Sequence, residues 1–122
     1  MFDPSFILLY VENPAKSCAF YSELLGLTPV ESSATFGMFA LKSGVMLGLW
    51  ARSGVEPGAT PVGGSELAFT VADAATVRAT HQNWAARGLQ IVQTPTKLDF
   101  GDTFVALDPD GHRLRVFAPG AP

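Results

Sequence analysis

An apolar strand, a capped helix and a helix-ending glycine occur in this order twice in the chain, and the two copies start roughly sixty residues apart. The first copy opens with the apolar run Phe6–Val11 and the second with residues 66–71. The first run is too uniformly apolar for a one-sided sheet, so both of its faces are expected to be covered. Duplicated modules of this kind are expected to build a pseudo-symmetric cavity, whose lining side chains decide the function.

Each copy continues as a predicted helix. Asn13 and Asp73 precede the two helices, and side chains of this type accept hydrogen bonds from the free N–H groups of a first helical turn. Gly26 and Gly88 can adopt the left-handed conformation that ends a helix. The first helix is therefore predicted to run to about residue 25 and the second to about residue 87.

Short apolar stretches bounded by turn residues predict the remaining strands. In the first copy they cover residues 28–31, 35–41 and 45–50, and in the second copy residues 89–92, 103–107 and 113–117. Residues 52–64 hold four glycines and two prolines, a composition typical of a linker. The order is βαβββ, linker, βαβββ, which predicts an α+β fold.

We expect one domain over residues 1–122, with module one at about 4–51 and module two at about 65–118. The 48% hydrophobic content supports a real core. The net charge is −3 and no Lys/Arg cluster exists, so nucleic-acid binding has no electrostatic support. Cys18, the single cysteine, cannot form an internal disulfide, and no apolar stretch is long enough to span a membrane. A cytoplasmic protein without a membrane partner is expected.

Two motifs carry a family resemblance. Residues 17–27 read Ser-Cys-Ala-Phe-Tyr-Ser-Glu-Leu-Leu-Gly-Leu, similar to the S-x-x-F-Y-x-x-x-L-G-L of the vicinal oxygen chelate superfamily. Residues 108–114, Asp-Pro-Asp-Gly-His-Arg-Leu, resemble that family's D-P-D-G-x-x-L/I. The family contains glyoxalase I, extradiol dioxygenases and bleomycin-resistance proteins. The resemblance implies tandem βαβββ modules that form curved mixed sheets around a cavity.

The resemblance also implies where metal ligands would stand: near the start of each module's first strand and on each module's last strand. In this sequence those positions hold Phe6, Gly48, Glu66 and Arg115. Arginine cannot coordinate a metal and disfavours a divalent cation beside it. His81 and His112 lie outside these positions, mid-helix and after a turn. We therefore predict no metal, no cofactor and no catalytic residue.

Strand alternation identifies the side chains that share a face with those four positions. The candidate ligand-binding residues are Phe6, Leu8, Met46, Gly48, Trp50, Glu66, Phe104 and Arg115. Gly48 is expected to leave room where a metal ligand would stand. Trp50 either stacks on a planar guest or packs as ordinary core. Glu66 and Arg115 either pair with each other or meet the polar edge of a guest.

Phe104 and Phe100 flank Gly101, in a segment predicted to be a loop. This loop either closes over a ligand or is simply anchored by its aromatic rings.

The aromatic lining and the absent ligand set resemble the metal-free members, the bleomycin- and phenazine-resistance-like proteins. The predicted function is the binding and sequestration of a planar aromatic antibiotic or toxin by a homodimer. One alternative is a metal-dependent lyase, dioxygenase or epimerase of the same superfamily. Another is a structural or regulatory dimer that binds no small molecule.

Overall fold

The structure is a computed structural model that describes residues 2–120. The chain divides into two compact units, with the boundary between Val62 and Gly63. The first unit contains β1 (Phe6–Val11), α1 (Pro14–Leu25), β2 (Glu31–Ser32), β3 (Phe36–Ala40), β4 (Met46–Ala51) and a 3-10 turn (Arg52–Gly54). The second contains β5 (Glu66–Thr70), α2 (Ala74–Ala86), β6 (Gln90–Leu98), β7 (Gly101–Leu107) and β8 (Arg113–Pro119).

The first unit is a four-stranded mixed sheet in the order β1-β4-β3-β2. Its first and last strands run parallel, with Phe6 opposite Met46 and Tyr10 opposite Trp50, whereas the other pairs are antiparallel. One face of the sheet packs on α1, and the core there is fully enclosed. Its buried side chains include Leu9, Val11, Tyr21, Phe39, Leu47 and Leu49.

The second unit repeats this topology, with strand order β5-β8-β7-β6. Again the first and last strands are parallel, and Glu66 lies opposite Arg113. Helix α2 covers one face of the sheet. The side chains buried beneath it include Val77, Trp84, Phe104, Leu114 and Val116. The two four-stranded sheets confirm the predicted α+β class with a βαβββ order in each half.

The capping residues predicted from sequence act locally as expected. The Asn13 side chain accepts a hydrogen bond from the Lys16 N–H at 3.1 Å. Asp73 Oδ1 accepts both the N–H and the hydroxyl of Thr76, at 2.8 and 2.6 Å. Gly26 ends α1 in the left-handed region at φ 66°. The second helix ends at Ala86, one residue before the predicted end.

Two strand predictions differ from the structure. The strand predicted at roughly 28–31 is shorter and shifted: it covers Glu31–Ser32, and the Val30 N–H just before it donates to the Met38 carbonyl at 2.8 Å. The strand predicted at 89–92 is longer and extends to Leu98. It continues through Pro95 because β6 is an edge strand with register shifts on either side of Gln93, so Pro95 needs no ladder partner.

The predicted loop at Gly101 is also wrong. Gly101 is the first residue of β7 and pairs with Pro119. It has φ 135°, and a Cβ at this position would overlap the carbonyl oxygen of Ala118. Glycine is therefore required for β7 to approach β8 this closely. In residues 2–120, no helix is both long and apolar enough to cross a membrane.

Candidate functional site

The side of each sheet that lies away from its helix, called here the helix-free face, carries seven of the eight candidate residues. In the first unit this face is almost wholly apolar. Its side chains are Phe6, Leu8, Tyr10, Phe36, Met38, Met46 and Trp50, with Gly48 between them. Phe6 and Leu8 are 50% and 44% exposed, which is unusual for large apolar side chains on adjacent positions of one face.

Trp50 lies on this helix-free face and is half-buried. Its ring stands edge-to-face against Tyr10, with the ring centroids 6.3 Å apart. Tyr10 is its direct partner across the parallel β1–β4 ladder, so backbone pairing sets the ring contact. Trp50 does not contribute to the core beneath α1, because that side of the sheet is filled by other residues.

Gly48 does not leave an empty space, and this prediction is corrected. A Cβ at residue 48 would lie 2.6 Å from Leu8 Cδ2 and 2.9 Å from Phe36 Cζ. Leu8 is the parallel partner of Gly48, and Phe36 reaches it diagonally from β3. The glycine therefore lets two neighbouring apolar side chains close over the strand, and the surface is a continuous apolar wall at this point.

The helix-free face of the second unit is organised around Arg115. Its guanidinium donates from Nε to Glu66 Oε1 at 2.7 Å and from Nη2 to Glu66 Oε2 at 2.9 Å. Nη1 donates to Gln93 Oε1 at 3.2 Å and to Thr103 Oγ1 at 3.1 Å. The Thr103 hydroxyl in turn donates to the Val116 carbonyl at 2.9 Å. Four strands thus contribute to one polar network.

Glu66 and Arg115 pair with each other, the first of the two alternatives left open by the sequence. The paired geometry is bidentate, which is the strongest form of a carboxylate–guanidinium interaction. The hydrogen bond from Arg115 lowers the pKa of the Glu66 carboxyl below its ordinary value. The same bond raises the pKa of Arg115. Glu66 is therefore an ionised acceptor at neutral pH.

An exposed aromatic ring borders the Arg115 network. The Phe100 ring is 44% exposed, and the Arg115 guanidinium carbon lies 5.8 Å from its centroid. Phe117 packs edge-to-face against Phe100 at 5.8 Å. Cation–π contact and ring packing together hold Phe100 beside the polar groups. This face therefore combines an apolar ring with acceptor and donor groups.

Phe104 is the one candidate that the structure removes from these surfaces. Its side chain is fully buried beneath α2, where it packs edge-to-face against His81 and Trp84. Phe104 pairs with Val116, whereas Thr103 pairs with Phe117, so alternation places Phe104 on the helix side. The side chains on its strand that lie on the helix-free face are those of Thr103, Val105 and Leu107.

Sequence reasoning missed Gln93 and Thr103 as members of the polar network. Gln93 lies just beyond the predicted end of its strand, so its face was not assigned. Thr103 was included in a predicted strand. Strand alternation counted back from the turn at residues 108–111 would have placed its side chain on the same face as Arg115. Leu107 faces Arg113 across that turn, which puts Thr103 on the Arg115 side.

Both histidines contact neighbouring side chains of the fold. His112 Nδ1 lies 2.8 Å from Asp108 Oδ2, and Asp108 Oδ1 accepts the backbone N–H groups of Asp110 and His112. This arrangement ties together the turn between β7 and β8. His81 packs on Phe104 within the α2 layer.

The residues at the four family ligand positions do not fit a metal ion. Glu66 has both carboxylate oxygens bound to Arg115, and the space at Gly48 is filled by apolar side chains. Phe6 and Arg115 offer no lone pair for coordination. Within residues 2–120, no group of three or more His, Cys, Asp or Glu side chains is arranged to hold a metal.

Solved structures similar to this chain share its fold. The solution NMR structure of protein ATC0852 from Agrobacterium tumefaciens is 52% identical, with a TM-score of 0.91 over 99% of this chain and 100% of that one. A glyoxalase-related enzyme from Fulvimarina pelagi is 22% identical, with a TM-score of 0.83 over 97% of this chain and 88% of that one. A glyoxalase/bleomycin resistance protein/dioxygenase from Nocardioides is 21% identical, with a TM-score of 0.81 over 100% and 88%.

A functionally named protein is also related in sequence. The phenazine antibiotic resistance protein EhpR of Enterobacter agglomerans is 28% identical over 116 residues, which cover 93% of this chain and 89% of that protein. The family model of the glyoxalase/bleomycin resistance protein/dioxygenase superfamily matches residues 4–116. The fold class and the family indicated by the two sequence motifs are thereby confirmed. The protein belongs to the glyoxalase/bleomycin resistance protein/dioxygenase superfamily.

Proposed function

We propose that this protein binds a planar aromatic small molecule and confers resistance by sequestering it unchanged. Phenazine is the probe for the tests below. The observation that carries the proposal is the aromatic, partly exposed helix-free face of the first unit, centred on Trp50. Planar heteroaromatic rings stack favourably on tryptophan, and apolar neighbours remove their surface from water.

The geometry of Trp50 suits such a contact. Tyr10 meets the ring in an edge-to-face contact, at a centroid distance of 6.3 Å and an interplanar angle of 76°. In such a contact Tyr10 covers at most one broad face of the indole and leaves the other for a different partner. Met46 and Leu8 on the same face supply adaptable and aliphatic surface around it. A flat apolar guest would meet surface of this kind with little loss of side-chain freedom.

The relationship to a protein named for phenazine antibiotic resistance supports the same class of guest. The departures at the family ligand positions support binding over metal-assisted chemistry, because Glu66 is already committed to Arg115. We propose as well that the protein is a homodimer and lies in the cytoplasm. Fractionation of cells that express the full chain would check the location.

Tryptophan fluorescence tests the proposal, because the two tryptophans can be separated. Trp84 is only 8% exposed and packs between Phe69 and Phe104, whereas Trp50 is half-buried. In the Trp84→Phe variant, phenazine should quench the remaining emission of Trp50. In the Trp50→Phe variant, the emission of Trp84 should be nearly unaffected. Trp50→Ala should weaken binding by about tenfold, the equivalent of about 1.4 kcal/mol of lost ring packing.

Two further measurements separate binding from catalysis. Phenazine at about 100 times its dissociation constant should stabilise the protein by about 2.7 kcal/mol. Expression in a phenazine-sensitive host should raise the inhibitory concentration while phenazine is recovered chemically unchanged. Recovery of a transformed product, or stoichiometric Ni, Zn or Fe in purified protein, would favour the metal-dependent alternative. No stabilisation by any planar aromatic would favour the structural dimer.

A further inference from the structure

The Arg115 network leaves its arginine with almost no capacity to bind a guest. A guanidinium has five N–H donors. Four of them are used within the network, two by Glu66 and one each by Gln93 and Thr103. The Arg115 side chain is only 17% exposed. A carboxylate on a guest would have to displace Glu66 from a bidentate pair before it could reach this cation.

Glu66, unlike Arg115, can still accept hydrogen bonds from a guest. Its side chain is 29% exposed, and each carboxylate oxygen accepts only one hydrogen bond from Arg115 although it can accept two. Arg113 lies 3.9 Å from Oε2, beyond hydrogen-bond distance. The ionised carboxylate therefore offers unused acceptor positions at the surface. An anionic group would be repelled by Glu66, but Arg113, whose side chain is 62% exposed, places a second cation 3.9 Å from Oε2.

Gln93 supplies a donor beside this acceptor. Arginine has no acceptor atom, so the amide oxygen of Gln93 must be the atom that faces Arg115. The amide nitrogen consequently points away from the guanidinium, and within residues 2–120 no hydrogen bond engages it. Because Gln93 and Glu66 both bind one guanidinium, the acceptor and the donor lie on either side of the same flat group. The exposed Phe100 ring adjoins them.

We propose that Glu66 and Gln93 recognise a neutral aromatic guest that carries a hydrogen-bond donor, such as a carboxamide. Arg115 is a positioning residue that holds both recognition groups. The inference rests on the proposed function and specifies the chemistry of the guest. It replaces the expectation that Arg115 itself would receive an anionic group.

Three matched probes test the inference at pH 7.5: phenazine, phenazine-1-carboxamide and phenazine-1-carboxylate. The carboxamide should bind at least tenfold more tightly than phenazine, and the carboxylate, which brings no donor, should not be weakened by Glu66→Gln. Glu66→Gln should reduce the carboxamide-to-phenazine ratio towards one, because it removes the negative charge and keeps an amide in place of the carboxylate. Binding of unsubstituted phenazine should change less than twofold. Glu56→Gln, at an exposed position in the linker, is the matched control and should leave all three affinities unchanged.

Gln93→Ala and Arg115→Lys extend the test to the other two residues. Gln93→Ala removes the donor and should weaken the carboxamide relative to phenazine. Lysine cannot hold both oxygens of Glu66 and the amide of Gln93 together, so Arg115→Lys should also lower the carboxamide-to-phenazine ratio. A purely structural role for Arg115 would lower both affinities equally and leave their ratio intact.

The outcomes separate the two proposals. If phenazine binds as tightly as the carboxamide, the donor inference is overturned and phenazine binding stands. If none of the three probes binds, the proposed function fails for phenazines and the inference fails with it. Side-chain amide signals of Gln93 that shift with the carboxamide, and do not shift with phenazine, would place the contact at this residue.

Discussion

Gly37 of β3 lies directly against the thiol of Cys18 on α1, so that a Cβ at residue 37 would overlap the Sγ atom. Cys18 is buried, and burial raises the pKa of its thiol. Helix and sheet therefore approach each other here as closely as their side chains permit. On the other face of the same sheet, Gly48 meets only the outer atoms of Leu8 and Phe36.

Alanine substitutions at these two glycines should have different costs. Gly37→Ala is expected to lower the free energy of unfolding by about 1–3 kcal/mol, because the buried sulfur cannot move aside. Gly48→Ala should cost less, because flexible and partly exposed side chains can yield. Chemical denaturation of the two variants measures the difference.

A double-mutant cycle identifies the cause of the Gly37 effect. Adding Cys18→Ala removes the Sγ atom and should restore most of the stability lost in Gly37→Ala, with a coupling of at least 0.5 kcal/mol. Additive effects of the two substitutions would contradict the overlap as the cause. Equal costs for Gly37→Ala and Gly48→Ala would contradict the proposed difference between the two faces.

The Glu66–Arg115 pair should make stability depend on pH on the acidic side. Arg115 lowers the pKa of Glu66 in the folded protein below the ordinary value of 4.5. The pair therefore stabilises the folded state above pH 4.5, and this contribution is lost as the pH falls through the lower, folded pKa. Because Glu66 is partly exposed, the contribution should be at most about 1 kcal/mol.

Unfolding free energies of the original chain and of Glu66→Gln, measured from pH 7 to pH 3, test this expectation. The difference between the two proteins should shrink as the pH falls below 4.5. Glu56→Gln, which removes one negative charge from the exposed linker, serves as the charge control. A difference that grows towards low pH would show that the pair does not stabilise the fold.

The proposed homodimer leads to a prediction at β1. This strand is an edge of its sheet, and Phe6, Ile7 and Leu8 are 50%, 37% and 44% exposed. Long apolar edge strands normally gain a covering partner or carry protective charges. Phe6→Lys should therefore shift the dimer towards monomer in light scattering after size exclusion at micromolar concentration.

Val30→Lys is the matched control, since Val30 is 58% exposed and lies outside β1. It should leave the oligomeric state unchanged. A chain that is monomeric throughout the micromolar range would contradict the homodimer, and a dimer unaffected by Phe6→Lys would place the interface elsewhere.

Local signals in the sequence were sufficient for the helices and for the order of the strands. Asn13 and Asp73 cap their helices through residues three positions away, and such contacts need no knowledge of the rest of the fold. The turn at residues 108–111 likewise sets the register of β7 against β8, with Leu107 opposite Arg113. These interactions are encoded within a few consecutive residues.

The details of the candidate surfaces depend on contacts between distant residues. Gly48 was expected to open a space, but the conformations of Leu8 and Phe36 close it, and no local pattern specifies them. Gln93 joins the network because β6 continues beyond residue 92, with register shifts on either side of Gln93. The pairing of Glu66 with Arg115 spans 49 residues and became evident only with the parallel β5–β8 register.

The parallel pairing of first and last strands has a consequence for the order in which the chain can fold. Within residues 2–120, β1 pairs only with β4 and β5 only with β8, so every strand ladder described closes within its own half. During synthesis the first sheet can be completed once residue 51 has left the ribosome, before β5 has emerged. Cleavage between Val62 and Gly63 would break none of the strand pairings of residues 2–120.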